Sequence, residues 1–345
     1  MTYCAKPIPA GWYILCRSQD IGKRPKSLSL AGMRLVAFRN VQGHCGVLED
    51  RCAHRGVPLS EGTVCEGKLQ CPYHGWQYDT QGNVAMVPAL PHVPESWKDK
   101  KVQGFAVKEL QGFIWAWVGS EQPVGEPQPF PYLREKSWTS FVMQTRFKGT
   151  VESCLENFLD CPHATFVHKY WFRAPTQKPV RAVVETLPDG AKAEFFEEPR
   201  EKSLVWWLLA PRSEGMQHVD RFIAPNTSRV DYAFPSGLHY VITSSCTPIN
   251  QDETLVHTVI TFRFKRIGFL VRLFFEPLSR WIIRQDVKML AAQKANLDRL
   301  ATQEASFQST PADLLGPHIV AWRKALMNGG TPPSPGDKRD VTLYL

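Results

Sequence analysis

The sequence predicts an α+β chain: a small all-β domain first, then a larger domain in which an antiparallel sheet is covered by helices. Three observations carry this expectation. In the first third of the chain, short apolar runs such as RLVAFRN, CGVLED and FIWAWVG are separated by Gly and Pro, the punctuation of short strands. Later runs (SRVDYAF, HYVITSSCT and TLVHTVITFRFK) are longer, and the last alternates, with Val256, Thr258, Ile260, Phe262 and Phe264 on one face and Leu255, His257, Val259 and Thr261 on the other. QDVKMLAAQKANLDRLATQEA, residues 285–305, is rich in strong helix formers.

The elements follow in order. GSEQPVGEPQPFPYL, rich in Pro and Gly, marks a boundary and gives domains of residues 1–118 and 119–345. GTVESCLENFLDCPHATFVHKYW then starts with helical spacing. His163 and His168 lie five apart, so a helix must bend or end between them to aim both rings at one point. Pro162 disturbs a helix at that place, because its ring crowds the carbonyl four residues back. SLVWWLLA reads as a strand ahead of the alternating ones. RFKRIGFLVRLFFEPLSRWIIR, residues 263–284, holds six basic residues and one acid, and Pro277 splits it into two short pieces. Asp286 then opens the last long helix.

Composition narrows the classes. A chain of 345 residues can bury two cores, and 43% hydrophobic with 21% charged residues is ordinary for a globular protein. No run approaches the roughly 20 apolar residues of a membrane-spanning helix, and the N-terminal stretch has no signal-peptide core. The nine cysteines are odd in number and scattered, which points to a reducing, cytoplasmic setting with thiols available for metal. The net charge of +8 would suit nucleic acid, an anionic membrane or an acidic protein, but no nucleic-acid-binding signature accompanies it, so nucleic acid is not an expected partner.

Two constellations carry chemistry. Cys52-x-His54 is followed, sixteen residues on, by Cys71-x-x-His74. Two short pairs on two loop tips can converge on one centre. The spacing alone suits structural zinc, but a Cys and a His in each half suit a [2Fe–2S] cluster with two thiolates on one iron and two imidazoles on the other. Cys65, between the pairs, reads as a spare thiol. The second constellation is ENFLDCPHATFVH, with Asn157, Asp160, His163 and His168. Two imidazoles and one carboxylate on one metal leave positions open for dioxygen. Cys154 and Cys161 read as packing residues, and the remaining histidines, His218, His239 and His257 among them, as unremarkable.

The CxH…CPYHGW pattern resembles the Rieske motif of Rieske non-haem iron oxygenases, and Asn157-x-x-Asp160-x-x-His163-x4-His168 matches that family's catalytic pattern. The resemblance covers nearly the whole chain. It implies a Rieske domain followed by a helix-grip catalytic domain, and a terminal oxygenase of the monooxygenase and demethylase branch. Cys52, His54, Cys71 and His74 would hold the cluster; His163, His168 and Asp286 would hold a mononuclear Fe(II). Asp160, the other candidate carboxylate, would instead bridge an iron-bound histidine to a Rieske histidine of the next subunit in a head-to-tail homotrimer. Asn157 would line the iron pocket. Electrons would come from a separate NAD(P)H-dependent flavin or ferredoxin-type reductase, since the chain has no GxGxxG.

The substrate is less legible. The apolar later strands suit a large apolar pocket or, by default, a plain sheet core. The basic, aromatic 263–284 segment suits either a core helix joining the last strand to the Asp286 helix or peripheral contact with an anionic membrane, and with that contact a hydrophobic polycyclic substrate of sterol-like type is the expectation. A soluble aromatic or arylamine is the alternative, and a non-catalytic Rieske electron carrier a more distant one.

Overall fold

The computed structural model describes residues 7–97, 100–119, 122–169, 171, 177–196, 215–264, 268–300 and 307–345. The chain divides into two compact units, Met1–Pro129 with Ile249–Gln251, and Phe130–Pro248 with Asp252–Leu345.

The first unit is all β, as its punctuated runs predict. Its strands are β1 (Gly11–Arg17), β2 (Lys26–Leu30), β3 (Met33–Arg39), β4 (Cys45–Glu49), β5 (Thr63–Cys65), β6 (Lys68–Gln70), β7 (Gln77–Tyr78), β8 (Val84–Met86), β9 (Val107–Leu110) and β10 (Phe113–Val118). They form three small antiparallel sheets, ordered β1-β10-β9, β2-β3-β4 and β5-β6-β7-β8. One core cluster, with Phe38, Leu48, Leu59, Leu69, Trp76 and Tyr78, closes around Cys52 and Cys71.

The second unit is built on one eight-stranded antiparallel sheet. Its strands are β11 (Thr139–Lys148), β12 (Pro179–Leu187), β13 (Gly190–Phe196), β14 (Gln217–Ile223), β15 (Thr227–Ala233), β16 (His239–Pro248), β17 (Glu253–Arg263) and β18 (Lys338–Tyr344), in the order β11-β17-β16-β15-β14-β13-β12-β18. Register places like-facing residues in rows across the sheet. One row is Asp220, Val230, Ile242, Ile260 and Phe141; the neighbouring row is Phe222, Ser228, Ser244, Thr258 and Met143. The strand expected at SLVWWLLA lies outside the described residues.

Among the described residues, three α-helices accompany the sheet. α1 (Val151–Leu159) starts at Thr150, whose hydroxyl accepts the Ser153 N–H at 3.1 Å, and buries Val151, Cys154, Leu155 and Leu159. α2 (Gly268–Arg299) buries Phe275, Ser279, Ile282, Asp286 and Leu290, a stripe at three- and four-residue spacing. α3 (Gly316–Asn328) is braced to α1 by buried Arg323, whose Nε donates to Glu152 Oε1 at 2.6 Å.

Two local expectations are corrected. α1 ends at Leu159, ahead of both histidines: Asp160 is extended, and Pro162–Thr165 forms a separate 3-10 turn. Pro162 therefore starts the turn that carries His163, and no helix bends between the two histidines. Likewise Pro277 does not split 263–284 into two pieces, and Asp286 does not open a helix but lies well inside α2. Pro277 removes the partner of the Leu273 carbonyl, and Leu273 is 57% exposed, so water can serve there.

Candidate metal centres and substrate cavity

In the first unit, two loops of the same construction carry the first four predicted ligands. In one, the Cys52 N–H donates to the Val57 carbonyl and the Gly56 N–H to the Cys52 carbonyl. In the other, the Cys71 N–H donates to the Trp76 carbonyl and the Gly75 N–H to the Cys71 carbonyl. Gly56 (φ 76°) and Gly75 (φ 70°) adopt the left-handed conformation that closes each loop.

The cysteines are buried and His74 is exposed. The His54 and His74 ring centroids are 4.6 Å apart, and His54 stacks on Trp76 at 4.8 Å with an interplanar angle of 3°. Loss of solvent, then the neighbouring His74 ring, holds His54 below the ordinary imidazole range, so it is neutral as a metal ligand must be. Its Nδ1 is buried without a hydrogen-bond partner. Burial pushes the Cys71 thiol up, against the N–H groups of Tyr73 and His74 that reach its sulfur. The Tyr78 hydroxyl accepts from Ala53 N–H at 3.1 Å and lies 3.1 Å from Cys52 Sγ, to which it would donate once that sulfur is a metal-bound thiolate. Paired thiols, paired imidazoles and donors aimed at sulfur fit a [2Fe–2S] cluster with mixed ligation. Cys65 ends β5, half-buried, beside the Thr63 hydroxyl.

In the second unit, His163, His168 and Asp286 bring three ligand atoms within 4.8 Å of one another. Asp286 Oδ1 is 3.0 Å from His168 Nε2 and 3.7 Å from His163 Nε2, yet it is buried without a hydrogen bond. Lone pairs that approach so closely without bonding to each other are aimed at a common third point, which fits a metal ion. Both rings are fixed from behind: His168 Nδ1 by Gln285 Oε1 at 2.7 Å, and His163 Nδ1 by the Asp160 carbonyl. The Asp160 carboxylate lies 4.0 Å from His163 Nδ1, with its side chain 44% exposed.

These ligands form one wall of a cavity of about 130 Å³, whose other wall is the inner face of the sheet: Met143, Ser228, Val230, Tyr232, Tyr240, Ile242, Ser244, Thr258 and Ile260. Asn157 and Asp160 line it too. Asn157 Nδ2 is a buried donor without a partner. Cys154 is a core residue, whereas Cys161 is buried and also touches the cavity. Sequence reasoning missed two cavity residues. His218 and Asp220, on β14, line the space, while His239 and His257 do not. His239 instead donates to Asp231 at 3.1 Å or shares its proton with it, and His257 is buried on the opposite face of β17 from Thr258.

The Rieske [2Fe-2S] domain family matches residues 11–98, and the vanillate O-demethylase oxygenase C-terminal domain family matches residues 147–327, more than half of the chain. The chain belongs to the Rieske oxygenases. It is 27% identical over 302 residues to aminopyrrolnitrin oxygenase from Pseudomonas fluorescens, covering 77% of each chain, and 36% identical over 163 residues to methylxanthine N1-demethylase from Pseudomonas putida, covering 46% of each. The matched stretch spans between 42% and 60% of four further curated relatives. The crystal structure of dicamba monooxygenase bound to dicamba shares the fold, with a TM-score of 0.78 at 18% identity, covering 92% of this chain and 97% of that one.

Family membership makes this Rieske oxygenase an oxidoreductase with a [2Fe–2S] cluster and a mononuclear iron. Rieske oxygenases draw electrons from a reductase or ferredoxin, use dioxygen and often form trimers. Among the described residues, no helix is long and apolar enough to cross a membrane.

Proposed function

We propose that this Rieske oxygenase is the terminal component of its system and inserts oxygen into, or removes a methyl group from, a compact and largely apolar ring compound. The cavity carries this reading, because a ring lying in it has the sheet on one side and His163, His168 and Asp286 on the other. An apolar cavity of roughly 150 Å³ holds benzene, so a described cavity of about 130 Å³ favours one or two rings over a sterol-like skeleton. The aromatic or arylamine alternative is consistent with this cavity.

Cys52, His54, Cys71 and His74 would hold the cluster, and His163, His168 and Asp286 the iron; together these centres would supply single electrons and activate dioxygen. The chain's own side chains do the rest. Gln285 and the Asp160 carbonyl set the direction of the two imidazoles. The Val230, Ile242 and Ile260 row excludes water. Asn157 offers a donor beside the metal position. The Asp160 carboxylate, beside His163 with its side chain 44% exposed, would accept an imidazole N–H from a neighbouring subunit in a head-to-tail homotrimer.

The test supplies purified protein with a surrogate reductase, NADH and isotopically labelled dioxygen, alongside aqueous and lipid extracts of source cells. Labelled aromatic product is expected from the aqueous extract. Protein that carries both centres and labels nothing from either extract would overturn the reading. Asp160→Asn should keep both metals and lose most turnover; equal turnover would remove the bridging role.

The first turns of α2 expose Phe269, Leu270, Leu273 and Phe274, with Arg272 and Arg280 nearby. A stripe of large apolar groups among cations suits an anionic bilayer, and we include peripheral membrane contact in the proposal. Co-sedimentation with phosphatidylserine vesicles at low salt checks it; no binding would assign this stripe to another protein surface.

A further inference from the structure

The cavity contains a His–Asp pair that neither metal centre uses. His218 and Asp220 face inward from alternate positions of β14, at 1% and 3% exposure. His218 Nε2 lies 2.9 Å from Asp220 Oδ1. The imidazole is sandwiched between Phe195 and Tyr232, with both centroids at 4.4 Å and interplanar angles of 12° and 17°. The hydrogen bond between the two side chains lets the pair be tolerated in the interior. The polar rim continues on the neighbouring strands with Ser228 and with the Ser244–Thr258 hydroxyl pair at 2.9 Å.

A buried carboxylate has room for about four hydrogen bonds, and leaving its acceptor sites unmet is costly. Asp220 is held by His218 through Oδ1, and its side chain lines the cavity. Among the described residues, no Lys or Arg lines the cavity, whereas Asp160, Asp220 and Asp286 do. A carboxylate-bearing substrate would meet the Asp160 and Asp220 carboxylates, with no Lys or Arg side chain among the described lining residues to pair with it. An N–H or O–H donor would meet a fixed, pre-oriented acceptor.

We propose that Asp220, held by His218, is the specificity determinant of this cavity and selects a ring compound that carries a hydrogen-bond-donating amine or hydroxyl over one that carries a carboxylate. This deepens the oxygenase reading above and rests on it. Asn157 Nδ2 completes the recognition by donating to an acceptor on the same molecule. Asp220 thereby acts on binding; it takes no part in oxygen transfer.

The experiment measures affinities of protein loaded with cluster and iron for four probes of one shape: para-chloroaniline, para-chlorophenol, para-chlorotoluene and para-chlorobenzoate. Isothermal titration gives each affinity without turnover. The aniline and phenol should bind about tenfold or more tighter than the toluene, the size of one buried hydrogen bond, with the benzoate weakest. Asp220→Leu should bring aniline and phenol down to the toluene level, and Asp220→Asn, which keeps one acceptor oxygen, should fall between. Benzoate bound as well as aniline by the unaltered chain overturns the proposal even if neither variant folds. So does a failure of both donors to bind better than toluene, and so does a preference that survives Asp220→Leu. Product formation with the reductase is read separately. The affinity order can hold while turnover fails, which would sink the oxygenase reading, and turnover can occur with the wrong affinity order, which would sink this one.

Discussion

The two metal centres are assembled on opposite principles. The proposed cluster site would take its four ligands from Cys52 to His74, on two loops that each close on themselves through a left-handed glycine and two backbone hydrogen bonds. The proposed iron site would take two ligands from the 3-10 turn and loop that follow α1 and the third from Asp286, which follows His168 by 118 positions and is delivered by α2 packed along β11. The first is specified by local turn chemistry. The second exists only once sheet and helices are in place.

The largest expected effects come from breaking one centre while leaving the other intact. Asp286→Ala removes the carboxylate and leaves two imidazoles that hold iron poorly. Iron per chain should drop from three to two, the visible spectrum of the cluster should persist, and turnover should vanish. Cys71→Ser should do the converse, abolishing the cluster spectrum while one iron per chain remains at the second site. If Asp286→Ala also loses the cluster, or Cys71→Ser also loses the mononuclear iron, the two sites do not assemble independently and the contrast fails. Iron and labile sulfide analysis with absorption spectra decide it.

An intermediate effect is expected at the groups that aim the ligands. Gln285 precedes Asp286 on α2 and fixes His168 through Nδ1 at 2.7 Å. Gln285→Ala leaves all three ligands in place and releases the ring. Groups of this kind are worth about 10- to 100-fold in metal affinity or activity, so competition with a chelator should show iron released at correspondingly lower chelator concentration. Unchanged iron affinity and turnover would mean that packing alone orients His168.

The same contrast explains what could be read from sequence. The cluster ligands are legible because a turn keeps spacing and geometry together, and the order of β domain before sheet domain follows from punctuation and alternation. His163 and His168 were visible as a pair, but the element carrying them was not, since Asp160 ends the helix before Pro162 acts. Asp286 could be placed only through family resemblance, because nothing in local spacing ties it to His168. Pro277 misled for a physical reason: a proline whose orphaned carbonyl faces water costs a helix less than one in a core. His218 and Asp220 were missed because QHVDRFI carries polar groups on both faces, so alternation could not say which face turned inward. Their role depends on Phe195 and Tyr232, which arrive from neighbouring strands.

The smallest predicted effect sharpens the comparison from the cluster side. The Tyr78 hydroxyl lies 3.1 Å from Cys52 Sγ, and a cluster-bound thiolate has no proton of its own, so the hydroxyl would be the donor. Donation to a cluster sulfur favours the reduced state, which carries more negative charge. Tyr78→Phe removes that donor without touching a ligand or a loop hydrogen bond of Cys52, and exposed Ala53 can turn to water. A hydrogen bond worth about 0.5–1.5 kcal/mol to one oxidation state corresponds to about 20–60 mV for one electron, so the cluster potential should become more negative by that amount with cluster content unchanged. A redox titration followed by circular dichroism reads the shift. An unchanged potential would show that the hydroxyl proton points away from the sulfur. A lost cluster would show that even this self-closed site depends on a side chain from β7, 26 positions from the cysteine it serves.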